Sequence, residues 1–184
     1  MGKARTVRRL ADAVIFMVLL ALLLMALQRA GLFDLGSGGY EVVEGDSLRR
    51  GETDIRLHGI DAPEYRQVCS DRAGHDYACG KEAAAALRTL MRSGIVACAS
   101  FETDRYGRAV ASCKAGDLDI NGEMVRLGWA VAYRRHSIAY LGEEAEARAA
   151  RRGMWQGRFD NPQDWRDKHR VVHGDTGGIP AAED

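Results

Sequence analysis

Four carboxylates, Glu44, Asp46, Asp61 and Glu64, flank a short segment that carries Arg56. Hard divalent cations take oxygen ligands, chiefly carboxylates and backbone carbonyls. Phosphoryl transfer needs such a cation, arginines on the non-bridging oxygens, and a group that orients or deprotonates water. Arg56 alternates with Ile55 and Leu57, which puts it on the polar side of a half-buried strand. Arg108 follows a glycine turn, Asp104-Arg105-Tyr106-Gly107, at the mouth of another strand. Guanidinium groups match phosphate geometry better than ammonium groups do. The set therefore contains each part that phosphodiester hydrolysis requires. Taken singly, each acid occupies an ordinary solvated position at a strand end or turn, where Asp is common. Spacing alone leaves the metal and the substrate open.

The elements that must position these groups are short. Tyr40 to Val43 reads as a first strand that Ser47 to Arg49 continues, before Arg50-Gly51 turns the chain. Thr53 to His58 alternates as a second strand, and Pro63 ends simple continuation beyond Ile60 to Glu64. Tyr65 to Cys79 reads as a long polar loop. Gly80 to Arg92 places Ala83, Leu87, Leu90 and Met91 on one helical face, with Gly94 as its stop. Ile95 to Phe101 and Arg108 to Lys114 are strands on either side of the 104–107 turn. Asn121 is the expected N-cap of a short helix through Leu127, stopped at Gly128. Trp129 to Tyr133 is extended, and Ile138 to Arg152 is a second long helix. The segment 160–173, with Trp165, is expected to pack back on the domain, and 174–184 reads as disordered. Five short strands with two or three packed helices make an α+β domain. A small closed barrel of the oligonucleotide/oligosaccharide-binding (OB) type is a good candidate. His58 and His75 read as surface histidines, and Trp129 and Trp155 as packing residues.

The chain has 184 residues, enough for one ordinary domain and a short accessory segment. Its formal charge is zero, but residues 1–33 hold Lys3, Arg5, Arg8, Arg9 and Arg29 against Asp12, leaving 21 basic and 25 acidic residues in the remainder. Such a domain does not coat nucleic acid by bulk charge, so contact with it must be local. Ala13 to Leu27 is an apolar run of 15 residues behind a basic end. With its flanks it is expected to form a transmembrane signal anchor over 11–33, a cleaved signal peptide being the alternative. The expected organisation is a basic cytoplasmic tail at 1–10, the anchor, a linker at 34–40, a domain at 41–160 and a tail at 161–184. The domain then faces away from the cytoplasm.

Cysteine usage agrees with export. Cys69, Cys79, Cys98 and Cys113 all lie in the exported part, and an even number there points to disulfides. Four cysteines allow three pairings. Cys69–Cys79, closing the polar loop, and Cys98–Cys113, joining neighbouring strands, are preferred; a buried free thiol at Cys98 is the alternative. No C-x-x-C and no histidine at ligand spacing supports zinc.

Four segments carry a resemblance: Val43-Glu44-Gly45-Asp46-Ser47, Ile55-Arg56-Leu57, Gly59-Ile60-Asp61-Ala62-Pro63-Glu64 and Asp104-Arg105-Tyr106-Gly107-Arg108. In order and spacing they resemble the motif series of the staphylococcal nuclease (thermonuclease) family. The similarity continues through Cys79-Gly80, Asn121, Leu127-Gly128, Tyr133 and Gly153-Met154-Trp155, covering about residues 41–158. The resemblance implies that Asp46, Asp61 and the backbone carbonyl of Ala62 bind calcium. It implies that Arg56 and Arg108 grip the scissile phosphate and that Glu64 positions or deprotonates water. Arg105 and Tyr106 match positions that contact a terminal phosphate, and Tyr133 a position that stacks on a base. The implied substrate is DNA or RNA with little sequence preference, cut to 3′-phosphate and 5′-hydroxyl ends. Glu44 stands where the motif carries aspartate, Ser47 and Ala62 where threonine is usual. None of these departures removes a first ligand.

The expectation is a membrane-anchored, calcium-dependent endonuclease, monomeric; no protein partner is inferable from the sequence. The competing expectation is a catalytically silent OB-fold module that binds nucleic acid by stacking and local charge. An envelope structural protein would leave the five polar residues without a joint role.

Overall fold

A computed structural model describes residues 2–29, 39–135 and 137–174. The chain forms two compact units, Met1–Leu35 and Gly36–Asp184. The first contains helix α1 (Gly2–Arg29), whose described side chains, 13–26, are exposed. Among the described residues no helix is long and apolar enough to cross a membrane. That corrects the span expected over 11–33. The unbroken apolar run reaches only about 22 Å against a hydrocarbon core of about 30 Å. Residues 30–33, which were to lengthen it, lie outside the described residues, as do most of the expected linker and the expected disordered tail from 175 onward.

The second unit begins with β1 (Tyr40–Glu44), β2 (Ser47–Arg50), β3 (Thr53–Leu57) and the two-residue β4 (Ile60–Asp61). A small hairpin, β5 (Cys69–Ser70) and β6 (Asp76–Tyr77), precedes helix α2 (Cys79–Met91). Then come β7 (Val96–Thr103), β8 (Ala109–Ala115), β9 (Leu118–Asp119), helix α3 (Ile120–Arg126) and β10 (Val131–Ala132). Helix α4 (Leu141–Ala149), a 3-10 turn at Gly153–Gln156 and helix α5 (Pro162–Gly174) complete it.

The main sheet runs in the order β1-β2-β3-β8-β7, with β9 added on β8. All neighbours are antiparallel except β3 and β8, which are parallel with Arg56 opposite Val110. The fold is α+β as expected, but the expected closed barrel is not formed. Among the described residues no ladder joins the β1 and β7 edges. Irregularities at Val42/Glu44 and Ser100/Glu102 bend those edges without pairing them, and the distal half of β7 stays exposed.

Helix α2 buries Ala83, Leu87 and Met91 in one core with Leu48, Leu57 and Ile60. Ile120 and Met124 of α3 are fully buried in the same core. Each such Leu, Ile or Met side chain contributes about 1.5–3 kcal/mol by leaving water. The small second core, Cys69, Cys79, Val131 and Met154, seals the hairpin against Trp129 and Trp155. Both preferred disulfides, Cys69–Cys79 and Cys98–Cys113, are formed.

Three local expectations are corrected. Residues 47–49 do not continue β1: the chain reverses at Gly45-Asp46, and β2 pairs back on β1. Asn121 is not an N-cap. Asp119 takes that place, accepting the Gly122 N–H, while Asn121 sits one step inside α3 with its amide buried. The second long helix is shorter than 138–152, because Ile138 is exposed and Arg151 adopts a left-handed φ of 51°.

Candidate active site

The site is built where the β1–β2 turn, β3 and β4 converge. Gly45 is required in that turn, because a Cβ there would stand 2.8 Å from Ala62 Cβ and from Ala83 Cβ. This close approach brings Asp46 against the 62–64 loop. Asp46 Oδ1 accepts from Ser47 Oγ at 2.8 Å, and Oδ2 accepts from the Ala62 N–H at 3.4 Å. Across the β2–β3 ladder Ser47 faces Arg56. Arg56 reaches Asp46 Oδ2 at 3.2 Å with one guanidinium nitrogen and Asp61 Oδ1 at 2.8 Å with the other. Gly59, at φ 75°, turns the chain between β3 and β4 and so returns Asp61 to Arg56.

Both aspartates are almost sealed from solvent. Burial and then the charge of Asp46 push the Asp61 carboxyl above the ordinary range, while Arg166 and Arg56 pull it back. Glu44 lies at the rim, and burial, then Glu64 and Asp46, push it up as well.

Glu64 is set by its backbone. Its N–H donates to Gln67 Oε1 at 3.2 Å, and Gln67, fully buried, donates through Nε2 to the Asp160 carbonyl at 2.7 Å. The start of α2 presses on the same loop: a Cβ on Gly80 would overlap the Glu64 carbonyl. The Glu64 side chain accepts from Arg166 at 2.7 Å.

Arg108 stands one residue before the start of β8, and Ala109 is the parallel partner of Ile55, so it belongs to the strand beside Arg56. Its guanidinium turns to Asp104, with Nε at 2.8 Å from Oδ2. Burial raises the Asp104 carboxyl, but the Arg108 N–H, the Arg108 side chain and the Tyr106 N–H outweigh it and hold the group below the usual carboxylate range. Tyr106 is 68% exposed, with Arg105 4.9 Å and Arg108 5.5 Å from its ring centre. Tyr133 projects from beyond β10, its ring centre 5.8 Å from the Arg56 guanidinium. The structure thus joins Asp46, Arg56, Asp61, Glu64 and Tyr133 in one network. Arg105, Tyr106 and Arg108 form a second group on the 104–108 turn.

Two members were not visible from spacing. Asn121 accepts the Cys113 N–H at 3.0 Å and donates to the carbonyls of His58 at 3.0 Å and Ala111 at 3.2 Å, tying α3 to β8 and to the end of β3. Arg166 reaches Asp61 and Glu64 from α5. Asn161-Pro162, a cap followed by proline at the first helical position, was the available sign of that helix. No local pattern announces where its arginine lands.

The donor set is oxygen only: two buried carboxylates, the Ala62 peptide whose N–H meets Asp46, and Glu64, joined to Asp61 through Arg166. That chemistry fits a hard divalent cation completed by water. Among the described residues no group of three or more His, Cys, Asp or Glu is arranged to hold a metal ion; the carboxylates gathered on Arg56 are two, Asp46 and Asp61. In this arrangement Arg56 and Arg166 balance the charge of the pair.

Residues 54–157 match the family described as Staphylococcal nuclease homologue. The chain is 36% identical, over 74% of its length and 73% of the relative's, to the "Succinoglycan biosynthesis protein ExoI" of Rhizobium meliloti. It is 30% identical to the "Probable staphylococcal-like nuclease CAN2" of Oryza sativa subsp. japonica, over 79% of this chain and 38% of that protein. It is 31% identical to the "Probable endonuclease LCL3" of Schizophyllum commune, over 70% of this chain and 49% of that protein. The chain therefore spans less than half the length of the rice and fungal relatives.

Proposed function

The chain belongs to the staphylococcal nuclease homologue family, and on that premise we propose that it is a calcium-dependent endonuclease that hydrolyses DNA, RNA or both with little sequence preference. The observation that carries this reading is the Arg56 guanidinium, held between the buried carboxylates of Asp46 and Asp61. A guanidinium so fixed loses little freedom when it takes a phosphate oxygen, and it works in a site largely shielded from water.

Asp46, Asp61 and the Ala62 carbonyl would hold the cation. When bound, it supplies a Lewis acid for a phosphoryl oxygen and lowers the pKa of water. Arg56 binds a non-bridging oxygen and stabilises the charge that grows there. Arg108 approaches the same phosphate once it exchanges Asp104 for it. Glu64, anchored through Gln67, orients the attacking water and takes its proton. Tyr106, between two guanidinium groups, and Tyr133, over Arg56, offer aromatic faces to flanking nucleotides.

Placement of the catalytic unit outside the cytoplasm belongs to the same proposal. It is supported by the apolar run behind a basic end and by the two disulfides. An extracytoplasmic site also meets calcium at concentrations a modest oxygen site can use.

The test uses the full chain in detergent with end-labelled single-stranded DNA and RNA. Cleavage that requires calcium, stops with a chelator and disappears in Arg56→Ala and Glu64→Ala is expected. Binding without cleavage across divalent ions overturns it in favour of the silent module. Protease protection in right-side-out vesicles checks the topology: a protected catalytic unit refutes the outward orientation.

A further inference from the structure

Arg166 lies in α5, beyond the residues that match the family. Its guanidinium bridges two carboxylates of the site. One nitrogen donates to Glu64 Oε1 at 2.7 Å, and the other donates to Asp61 Oδ1 at 3.1 Å and Oδ2 at 2.9 Å. Gln163, one helical turn earlier, accepts from the same nitrogen at 3.0 Å. Both oxygens of Asp61 are therefore engaged, and Glu64, the group assigned to water, is engaged as well. A divalent cation on Asp61 would face this guanidinium at close range, charge against like charge. Each therefore weakens the other's hold on Asp61.

The way α5 is held points the same way. Pro162 is buried, and Gln163, Trp165 and Arg166 are half-buried, but Asp164, Asp167, Lys168, His169 and Arg170 are exposed. The helix offers little apolar surface to the site beneath it. The segment that leads into it is tied down independently: Gln67 holds the Asp160 carbonyl, and Ser70 exchanges backbone hydrogen bonds with Arg158. The helix is thus hinged at a fixed segment and latched by charge-assisted hydrogen bonds, which ions weaken and apolar packing would not.

We propose that α5 is a gate on the site and Arg166 its latch, an internal cation that the divalent metal must displace before phosphate and water can enter. The proposal rests on the reading of Asp46 and Asp61 as the cation pair, and its test separates the two. Calcium binding is measured by calorimetry on the full chain and on Arg166→Ala, and amide exchange in α5 is followed in parallel. The expected results are at least tenfold tighter calcium binding in Arg166→Ala, and calcium-induced loss of exchange protection over 162–170 in the unaltered protein. Where the unaltered protein binds calcium, unchanged or weaker binding in Arg166→Ala, or an α5 equally protected with and without saturating calcium, overturns the latch. Glu64→Gln supplies a metal-free check: it leaves an oxygen for Arg166 but removes the charge that strengthens the bond, and should speed exchange in α5; unchanged exchange there also overturns it. If neither protein binds calcium while α5 still loosens in Glu64→Gln and Arg166→Ala, the latch stands and the cation pair is what fails.

Discussion

Arg56 donates to Asp61 at 2.8 Å across the reversal between β3 and β4, and the same side chain also holds Asp46. One guanidinium therefore stabilises the two carboxylates that it must later share with substrate. Its side chain is 17% exposed, so its loss leaves two buried acids short of a partner. Arg56→Ala should cost about 3 kcal/mol of stability, within the range for breaking buried pairs. It should also lower the cleavage rate by about 10²–10³-fold. Arg56→Lys keeps the charge but loses the fork, so it should recover most of the stability and little of the rate. Denaturation curves and single-turnover cleavage of all three proteins check this; equal recovery of both quantities by lysine refutes the geometric role.

Asn121 predicts a different pattern. Replacing it with alanine leaves the Cys113 N–H and the His58 and Ala111 carbonyls without their partner. A loss of about 3 kcal/mol follows from the cost of unsatisfied buried groups. The effect should appear in the denaturant midpoint. Cleavage per folded molecule should fall less than tenfold, since Asn121 touches no group assigned to the phosphate.

Asp104 carries the pH dependence. Its carboxyl is held below the ordinary range in the folded protein, and the unfolded value is near 3.9. A lowered native value makes the folded state bind fewer protons, so the stabilisation is complete above the unfolded value and is lost as pH falls through the native one. As pH falls through that lowered native value, the 104–108 turn should loosen and release Arg108. Asp104→Asn should be less stable than the parent at pH 7, and the gap should close towards pH 2.5. A gap that stays constant across that interval contradicts the assignment.

The Cys69–Cys79 bridge closes a short loop, with ten residues of sequence separation, that contains Ser70, His75 and the β5–β6 hairpin. Removing both cysteines by Cys→Ala replacement should cost about 3 kcal/mol on the chain-entropy estimate. Gln67 lies just outside that loop and Gly80 just beyond it, so the disturbance should reach Glu64. Faster amide exchange at residues 64–67, with β7 and β8 unchanged, is the expected signature. Uniform destabilisation would assign the bridge a global role instead.

Much of this site was legible in the sequence because its signals are local. The alternation around Arg56, the Asp104 to Gly107 turn and the apolar face of α2 each declare themselves within a few residues. So did both disulfides, once export was argued. The β1–β2 reversal was not legible, because Gly45 matters through Ala83, a residue far along the chain on another element. Asn121 looked like a cap because capping is what a lone Asn before a helix usually does, whereas here it satisfies backbone groups of two strands. Closure of the barrel depends on edges that local pattern does not describe. Arg166 lies 105 residues from Asp61, in a helix rich in both charges, and no periodicity says which arginine turns inward.

The parallel pairing of β3 with β8 also bears on how the protein comes to life. Ile55 and Ala109 are partners, yet β7 and the whole of α2 are synthesised between them. Parallel neighbours need such a crossover, and distant pairings form slowly. A nascent chain that has made only the first four strands already carries Asp46, Arg56, Asp61 and, soon after, Glu64, but not the strand that brings Arg108 alongside. The two arginines meet only when the sheet is nearly complete. On the proposed assignment of both arginines to the phosphate, a polypeptide interrupted before β8 holds the carboxylates and Arg56 but lacks the second phosphate-binding group.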